Sequence, residues 1–283
     1  MWTAMHFAAV LSDRCLKELI KHPNVDLNSV TFVNYTPLHI AIHNEKVPQT
    51  QTLLEIDDVD LNTIKNKNGF SVVQAAVIDD DYYYKIDCLK LLTEHEGANF
   101  NICDDYGDTP IMWTLKKNKI DRFEVLINCP RVDINLKDSG GDTIAMWAMK
   151  NGKLKAVKTI LSRPSIDINS SDSNEDTIAF LALKKGHTQL FPDIFTNPDL
   201  DFLKKDGYGD TVVSCALRSH PEALSIIFQI DKFVSNNNED EKSSQDFSDN
   251  RKKIRLDQLR EISRIFSLLN LTKLRRIFHP HCY

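Results

Sequence analysis

One phrase, written more than once at a fixed interval, constrains this chain more than any single motif does. Residues 131–143 read RVDINLKDSGGDT, and thirty-four residues earlier 97–109 read GANFNICDDYGDT. One Asn anchors each (Asn135, Asn101), and an Asp, a Gly, an Asp and a Thr follow in the same order. A catalytic loop is normally written once, so recurrence predicts architecture: units that cannot close a core alone and bury their apolar faces on neighbours. Thr3, Thr36, Ser71, Thr109, Thr143, Thr177 and Thr211 mark the register, at steps of 33, 35, 38, 34, 34 and 34 residues. The stretches they mark are here numbered copies one to seven.

Behind each marker the sequence predicts a helix rich in small residues, clearest in TAMHFAA at 3–9 and TPLHIAI at 36–42. A short turn follows, then a second helix ending in an apolar pair: Leu19-Ile20, Leu53-Leu54, Leu91-Leu92, Leu126-Ile127 or Ile160-Leu161. The copy closes on HPNVDLN, CPRVDIN or RPSIDIN. Thr-Pro-Leu-His-x-Ala at a period near 33 resembles the ankyrin repeat family, and the resemblance covers about residues 1–231. It implies an all-α solenoid, each copy a β-hairpin turn plus two antiparallel helices, with bounds near 1–28, 29–62, 63–101, 102–135, 136–169, 170–202 and 203–231. It also implies that His6 and His39 are structural hydrogen-bonding residues. Gln74, Met112, Met146, Phe180 and Ser214 replace them later, where more reliance on apolar packing is expected.

The residues support this reading on their own. Ala8, Ala9, Ala41, Ala75, Ala76, Ala148, Ala182 and Ala216 let first helices approach closely. Gly69, Gly107, Gly141 and Gly209, with Asn34 in the same slot, suit a turn at positive φ, and Glu175 in that slot is expected to be strained. The following Thr is placed to cap the first helix. Pro192 is expected to shorten or distort the second helix of copy six, and Pro221 to start that of copy seven. Trp113 and Trp147 are expected to pack between the two helices of their copies, an aromatic recognition surface being the alternative. Copy three carries an insertion, DDDYYY at 79–84, read as a solvated loop or as a docking knob of Tyr82–Tyr84. The chain begins almost at Thr3, so either an N-terminal cap is lacking or the chain is a fragment.

Two charged rows follow the same register. Just before the marker stand Tyr35, Phe70, Asp108, Asp142, Asp176 and Asp210; at the far end of the first helix stand Lys116, Lys150, Lys184 and Arg218. In the family both positions face the concave side, where partners dock. They are expected to form parallel acidic and basic stripes, with an apolar end near Tyr35 and Phe70. Helix-end electrostatics alone would also favour acids at one end and bases at the other. Both accounts stay open at this point.

Residues 232–253 read as an acidic, flexible linker. Residues 254–283 form the tail proper. From Arg251 to Phe278 the sequence carries nine Lys or Arg against Asp257 and Glu261, with Leu259, Ile262, Phe266 and Leu269 at helical spacing. The readings are a cap on the stack, a partner-binding or membrane-surface helix, a box recruiting a ubiquitin-ligase scaffold, or, for RKKIR, a nuclear-import signal. His279, His281 and Cys282 lack a fourth metal ligand.

Chemistry is poorly represented. There is no Gly-rich phosphate loop, nucleophile motif or metal-spaced cluster, and neither His6 nor His39 has a nucleophile or carboxylate beside it in its motif. Six cysteines stand without CxxC pairing, as suits a reducing compartment. No apolar run reaches membrane-spanning length, and a net charge of −5 gives no reason to expect nucleic acid. The reading is therefore a non-enzymatic, cofactor-free interaction scaffold of the cytoplasm or nucleus, binding other proteins. An adaptor that delivers a bound protein to a modifying enzyme through the tail is the alternative.

Overall fold

Every Thr or Ser marker stands at the start of a helix in the computed structural model, which describes residues 1–78, 86–220, 223, 224 and 226. The first helices are α1 (Ala4–Leu11), α3 (Pro37–His43), α5 (Val72–Ile78), α7 (Pro110–Lys116), α9 (Ile144–Lys150), α11 (Ile178–Lys185) and α13 (Val212–Ser219). Between them come the second helices α2 (Asp13–Ile20), α4 (Val47–Leu54), α6 (Ile86–Glu94), α8 (Ile120–Ile127), α10 (Leu154–Leu161) and α12 (Phe191–Phe195). The insertion at 79–84, Pro221, the linker and the tail lie outside the described residues. The chain divides between Ser139 and Gly140 into two compact units.

Ahead of the later first helices the chain turns tightly. The backbone N–H of Thr31 donates to Tyr35, Asn66 to Phe70, Asp104 to Asp108, Asp172 to Asp176 and Asp206 to Asp210, all at 2.9–3.0 Å. The expected hairpins are thus present, but their strands shrink to single antiparallel bridges, Ser171 with Thr177 and Lys205 with Thr211. The shared slot is left-handed throughout: φ is 58° at Asn34, 80° at Gly69 and 64° at Glu175, so the strain expected of a glutamate there is present. A second left-handed series was not foreseen. Glu45, Asn118, Gly152 and Gly186, with φ from 50° to 70°, turn the chain from first helix to second.

In the first unit the first helices pack in a row (α1 on α3, α3 on α5, α5 on α7), and the second helices form a parallel row behind them (α2, α4, α6, α8). In the second unit α9, α11 and α13 form one row, with α10 against α12. Alanines make the close approach possible: Ala9, Ala41, Ala148, Ala182 and Ala216 are wholly buried, and of those expected only Ala75 is not buried. The second helices supply Leu53, Leu126 and Ile160, also fully buried. In copy three the expected pair is displaced. Leu91 is half-buried, whereas Cys88, Leu89 and Leu92 face the core, because the helix turns every 3.6 residues and selects positions three and four apart. Pro192 acts as expected: copy six has a 3₁₀ turn at Thr188–Leu190 and then a helix of only five residues.

The marker hydroxyl caps its helix only in some copies. Ser71, Thr36, Thr143 and Thr211 accept from the backbone N–H three residues on. The hydroxyls of Thr109 and Thr177 are buried without such a bond. A polar residue at the third helical position adds a reciprocal bond, though Thr143 caps without one, opposite Met146. His39, Gln74 and Ser214 reach back to the marker's own N–H and close the reciprocal box, whereas Met112 and Phe180 have nothing to offer it. Gln74 and Ser214 therefore keep a polar role that apolar packing was expected to take over.

Neighbouring copies are also tied by backbone recognition. The side-chain amide of Asn28 donates to Asp58 O at 2.7 Å while its oxygen accepts from Asp60 N at 2.8 Å. Asn62 does the same with Gly97 and Asn99, Asn101 with Arg131 and Asp133, and Asn169 with Asp199 and Asp201. Asn101, which anchors the first writing of the recurring phrase, is thus the clamp between its copy and the next. Arg131 adds a second clamp, its guanidinium donating to the carbonyls of Leu92, Thr93, Glu96 and Ala98 around the end of α6. Leu92 and Thr93 lie in the last turn of α6, whose carbonyls lack a full set of intrahelical partners.

Candidate functional site

In each unit the hairpins and first helices lie side by side, and the members of both charged rows in that unit stand on them. They do not form separate stripes. Each cation folds back along its helix to the carboxylate eight residues earlier, and the three lysines also reach the hairpin of the following copy. Lys116 Nζ stands 2.5 Å from Asp108 and 3.2 Å from Asp138. Lys150 is 2.6 Å from Asp142 and 2.8 Å from Asp172; Lys184 is 2.5 Å from Asp176 and 3.0 Å from Asp206. Arg218 pairs with Asp210. The acidic and basic rows expected from the sequence are paired with each other, and Asp108 and Asp176 are only 6% and 7% exposed. A carboxylate at that depth needs a cation, and the lysine stem is long enough to deliver one.

A third row, missed in the sequence, completes the arrangement. Asp138, Asp172 and Asp206 open the next hairpin, and Asp104 holds the same place in copy four. One oxygen of Asp172 accepts from the backbone N–H of Asn174 and Asp176, and one of Asp206 from Tyr208 and Asp210. The other oxygen of each faces the lysine. Asn66 and Thr31 organise the earlier hairpins in the same way without the charge. The signal was present as the first Asp of the recurring phrase, but only stacking brings it to a lysine twenty-two residues back.

The titration behaviour follows from this crowding. Burial pulls the Lys116 ammonium down, but hydrogen bonds and charge from Asp108 and Asp138 more than offset it, leaving it above the ordinary lysine value. Lys150 and Lys184 are raised for the same reason. Burial pushes Asp108 up, against the pull of Lys116, and the neighbouring Asp104 and Asp138 push it further. Burial acts the same way on Asp172 and Asp206, yet lysine and backbone N–H groups outweigh it and hold both below the usual carboxylate range.

In copies two to four the face becomes aromatic. Tyr35 stacks at 27° on His39 and on His43, with ring centres 5.7 and 6.1 Å apart. Phe70 meets Trp113 edge-on at 6.0 Å, and the Trp113 N–H donates to Asp104 at 2.6 Å. Lys117 lies 5.1 Å from the centre of the Trp113 ring. Tyr35, Phe70 and Trp113 are all half-buried. Trp113 therefore does not fill the space between the helices of its copy. It turns to the hairpin side, because its ring N–H finds a carboxylate there, and Trp147 is likewise only half-buried.

The histidines are fully used by the backbone. His6 Nδ1 accepts from Thr3 N at 3.0 Å, and Nε2 donates to Tyr35 O at 2.9 Å in the next copy. His39 repeats this with Thr36 N and Phe70 O, both at 3.4 Å, and Gln74 extends the series to Ile102 O. Burial lowers both histidines, His39 to about 4. Among the described residues, no group of three His, Cys, Asp or Glu side chains converges as metal ligands would.

Comparison with known proteins agrees with this geometry. Residues 75–172 match the family model for ankyrin repeats, as three copies. The chain is similar in fold to the ankyrin repeat domain of Bcl-3, described as a unique member of the IkappaB protein family. The TM-score is 0.62 at 17% identity, covering 79% of this chain and 98% of that one. It is also similar to EF0377, an ankyrin repeat protein, with a TM-score of 0.52 at 22% identity over 69% and 96% of the two chains.

Proposed function

We propose, for a chain that belongs to the ankyrin-repeat family, that it is a non-enzymatic scaffold holding another protein on its hairpin-and-first-helix face. Ankyrin repeats are protein-interaction modules, and the observation that carries the reading here is the composition of that face. Within residues 1–139, half-buried Tyr35, Phe70 and Trp113 stand as fixed aromatic anchors, and Lys116 is held between Asp108 and Asp138. Anchors already locked by their neighbours lose little freedom on binding, which favours affinity. A partner suited to this face presents an apolar side chain to the aromatics and charged groups to Lys116 and its two aspartates. The scattered cysteines, lacking any disulfide-framework or metal-spaced pattern, support a reducing compartment, cytoplasm or nucleus.

The test is affinity capture from the native cell with the parent and with Tyr35→Ala/Phe70→Ala. The variant is expected to lose about tenfold in affinity, about 1.4 kcal/mol, for the captured protein while keeping its helical signal. Equal capture by a folded variant sinks this reading.

A further inference from the structure

We propose that the exposed face of α1 and the hairpin beside it form a self-association surface, through which two copies of this chain pair about a two-fold axis. Trp2, Phe7, Leu11, Val30 and Phe32 stand there, 43–90% exposed. Phe7 and Leu11 lie one turn apart on α1, and the Trp2 ring centre is 5.1 Å from that of Phe7. The hydroxyls of Thr3 and Ser29, 3.2 Å apart, join the start of the helix to the hairpin that carries Val30 and Phe32. None of the five side chains is charged, so the patch is complementary to itself, as a two-fold interface requires. At these exposures they offer about 550 Å² of surface, so two copies cover about 1,100 Å², more than the about 1,000 Å² that a specific interface has to clear.

The other copies show what these places ordinarily hold. The residues in the place of Leu11, from Asn44 in copy two to Ser219 in copy seven, are all polar. Those in the place of Phe32 run from Lys67 to Gly207, and none has an apolar side chain. Both places are exposed in every later copy whose residue is described. Exposure there is ordinary in this fold, and only here is an apolar side chain put into it. The hairpin row is open on the same side. In the place of Phe32, the backbone N–H of Lys67 donates to Val33 O and that of Ser139 to Tyr106 O, both at 2.9 Å. Among the described residues nothing accepts from the Phe32 N–H. Proteins blunt such an edge with charge or proline to keep it from pairing, and this edge carries a phenylalanine instead.

Sedimentation of the full chain between about 1 and 100 μM tests this, the range suited to an interface of modest area. The mass should rise from one chain to two and stop there. Leu11→Asn/Phe32→Lys installs the residues that copies two and three already carry at these places, Asn44 and Lys67. In dilute solution its helical signal and melting temperature should match the parent's. Its dissociation constant should rise at least about thirtyfold, because each change is felt on both sides of the two-fold axis. Hydrogen exchange of the parent gives a reading that needs no variant: protection of residues 2–11 and 29–34 should grow with concentration. A chain that stays single at about 100 μM overturns the proposal, as does a mass that keeps growing beyond two chains. So does a folded variant that pairs as tightly as the parent, or exchange at those residues that ignores concentration. Tyr35 and Phe70 lie outside the patch, so the capture test of the scaffold reading stands or falls separately.

Discussion

His39 shows how one side chain can tie a copy together and make it sensitive to acid. Its Nδ1 accepts from the marker N–H and its Nε2 donates across to Phe70, so a second ring proton would point at a backbone N–H. Burial accordingly holds its pKa near 4, while the unfolded ring titrates at its ordinary 6.5. On acidification the unfolded chain takes up the proton first. The stabilisation is therefore complete above about pH 6.5 and is lost progressively as pH falls toward 4. Between pH 7 and 5.5 the loss should be about 1 kcal/mol, or about 2–4 °C in melting temperature for a chain of this size. Asp172 and Asp206, held low, release nothing in that window. Gln74 makes the corresponding bonds in copy three without a titrating ring, so His39→Gln should flatten the pH slope. A variant that melts with the parent's slope would place the sensitivity elsewhere.

Among the helices, burial decides which residues carry stability. Leu92→Ala in α6 removes a wholly buried side chain and should cost about 2–5 kcal/mol in denaturant unfolding. The adjacent, half-buried Leu91→Ala should cost clearly less. Losses of equal size would mean that α6 is rotated from the face described. The helix pairs, the marker caps and the left-handed slot at Asn34, Gly69 and Glu175 are all legible in the sequence, because each depends on neighbours within one copy. What was not legible crosses between copies. Lys150 and Asp172 are twenty-two residues apart, and nothing local says that they meet. Trp113 was misplaced for the same kind of reason. An apolar residue on a helix is expected to face the second helix, and only the fold reveals a carboxylate at Asp104 and a ring at Phe70 on the other side.

The division at Ser139 and Gly140 gives the whole molecule a testable grain. Lys184→Ala removes the cation between Asp176 and Asp206, which are 7% and 2% exposed. Buried carboxylates left without their partner destabilise the surrounding structure. The penalty should be on the order of 1–3 kcal/mol, because the lysine itself is partly solvated. Hydrogen exchange should register it in α9, α11 and α13 as a loss of protection of about tenfold or more, with α1 to α4 unchanged. Loss spread evenly over α1 to α13 would mean that the units open together.

The asparagine clamps also bear on how such a chain can lengthen or shorten. Each Asn spends both halves of its amide on the backbone of the copy that follows, so it is a donor to its successor and its copy is a recipient from its predecessor. Duplicating one period within 29–101, or the period 136–169, leaves that chain of obligations intact, since every new neighbour brings the same Asn and the same receiving backbone. At position 203 the register reaches Leu203, where the amide would stand. A period added beyond it would arrive at a copy with nothing to hold it, so growth by internal duplication is open upstream of Leu203 and closed downstream.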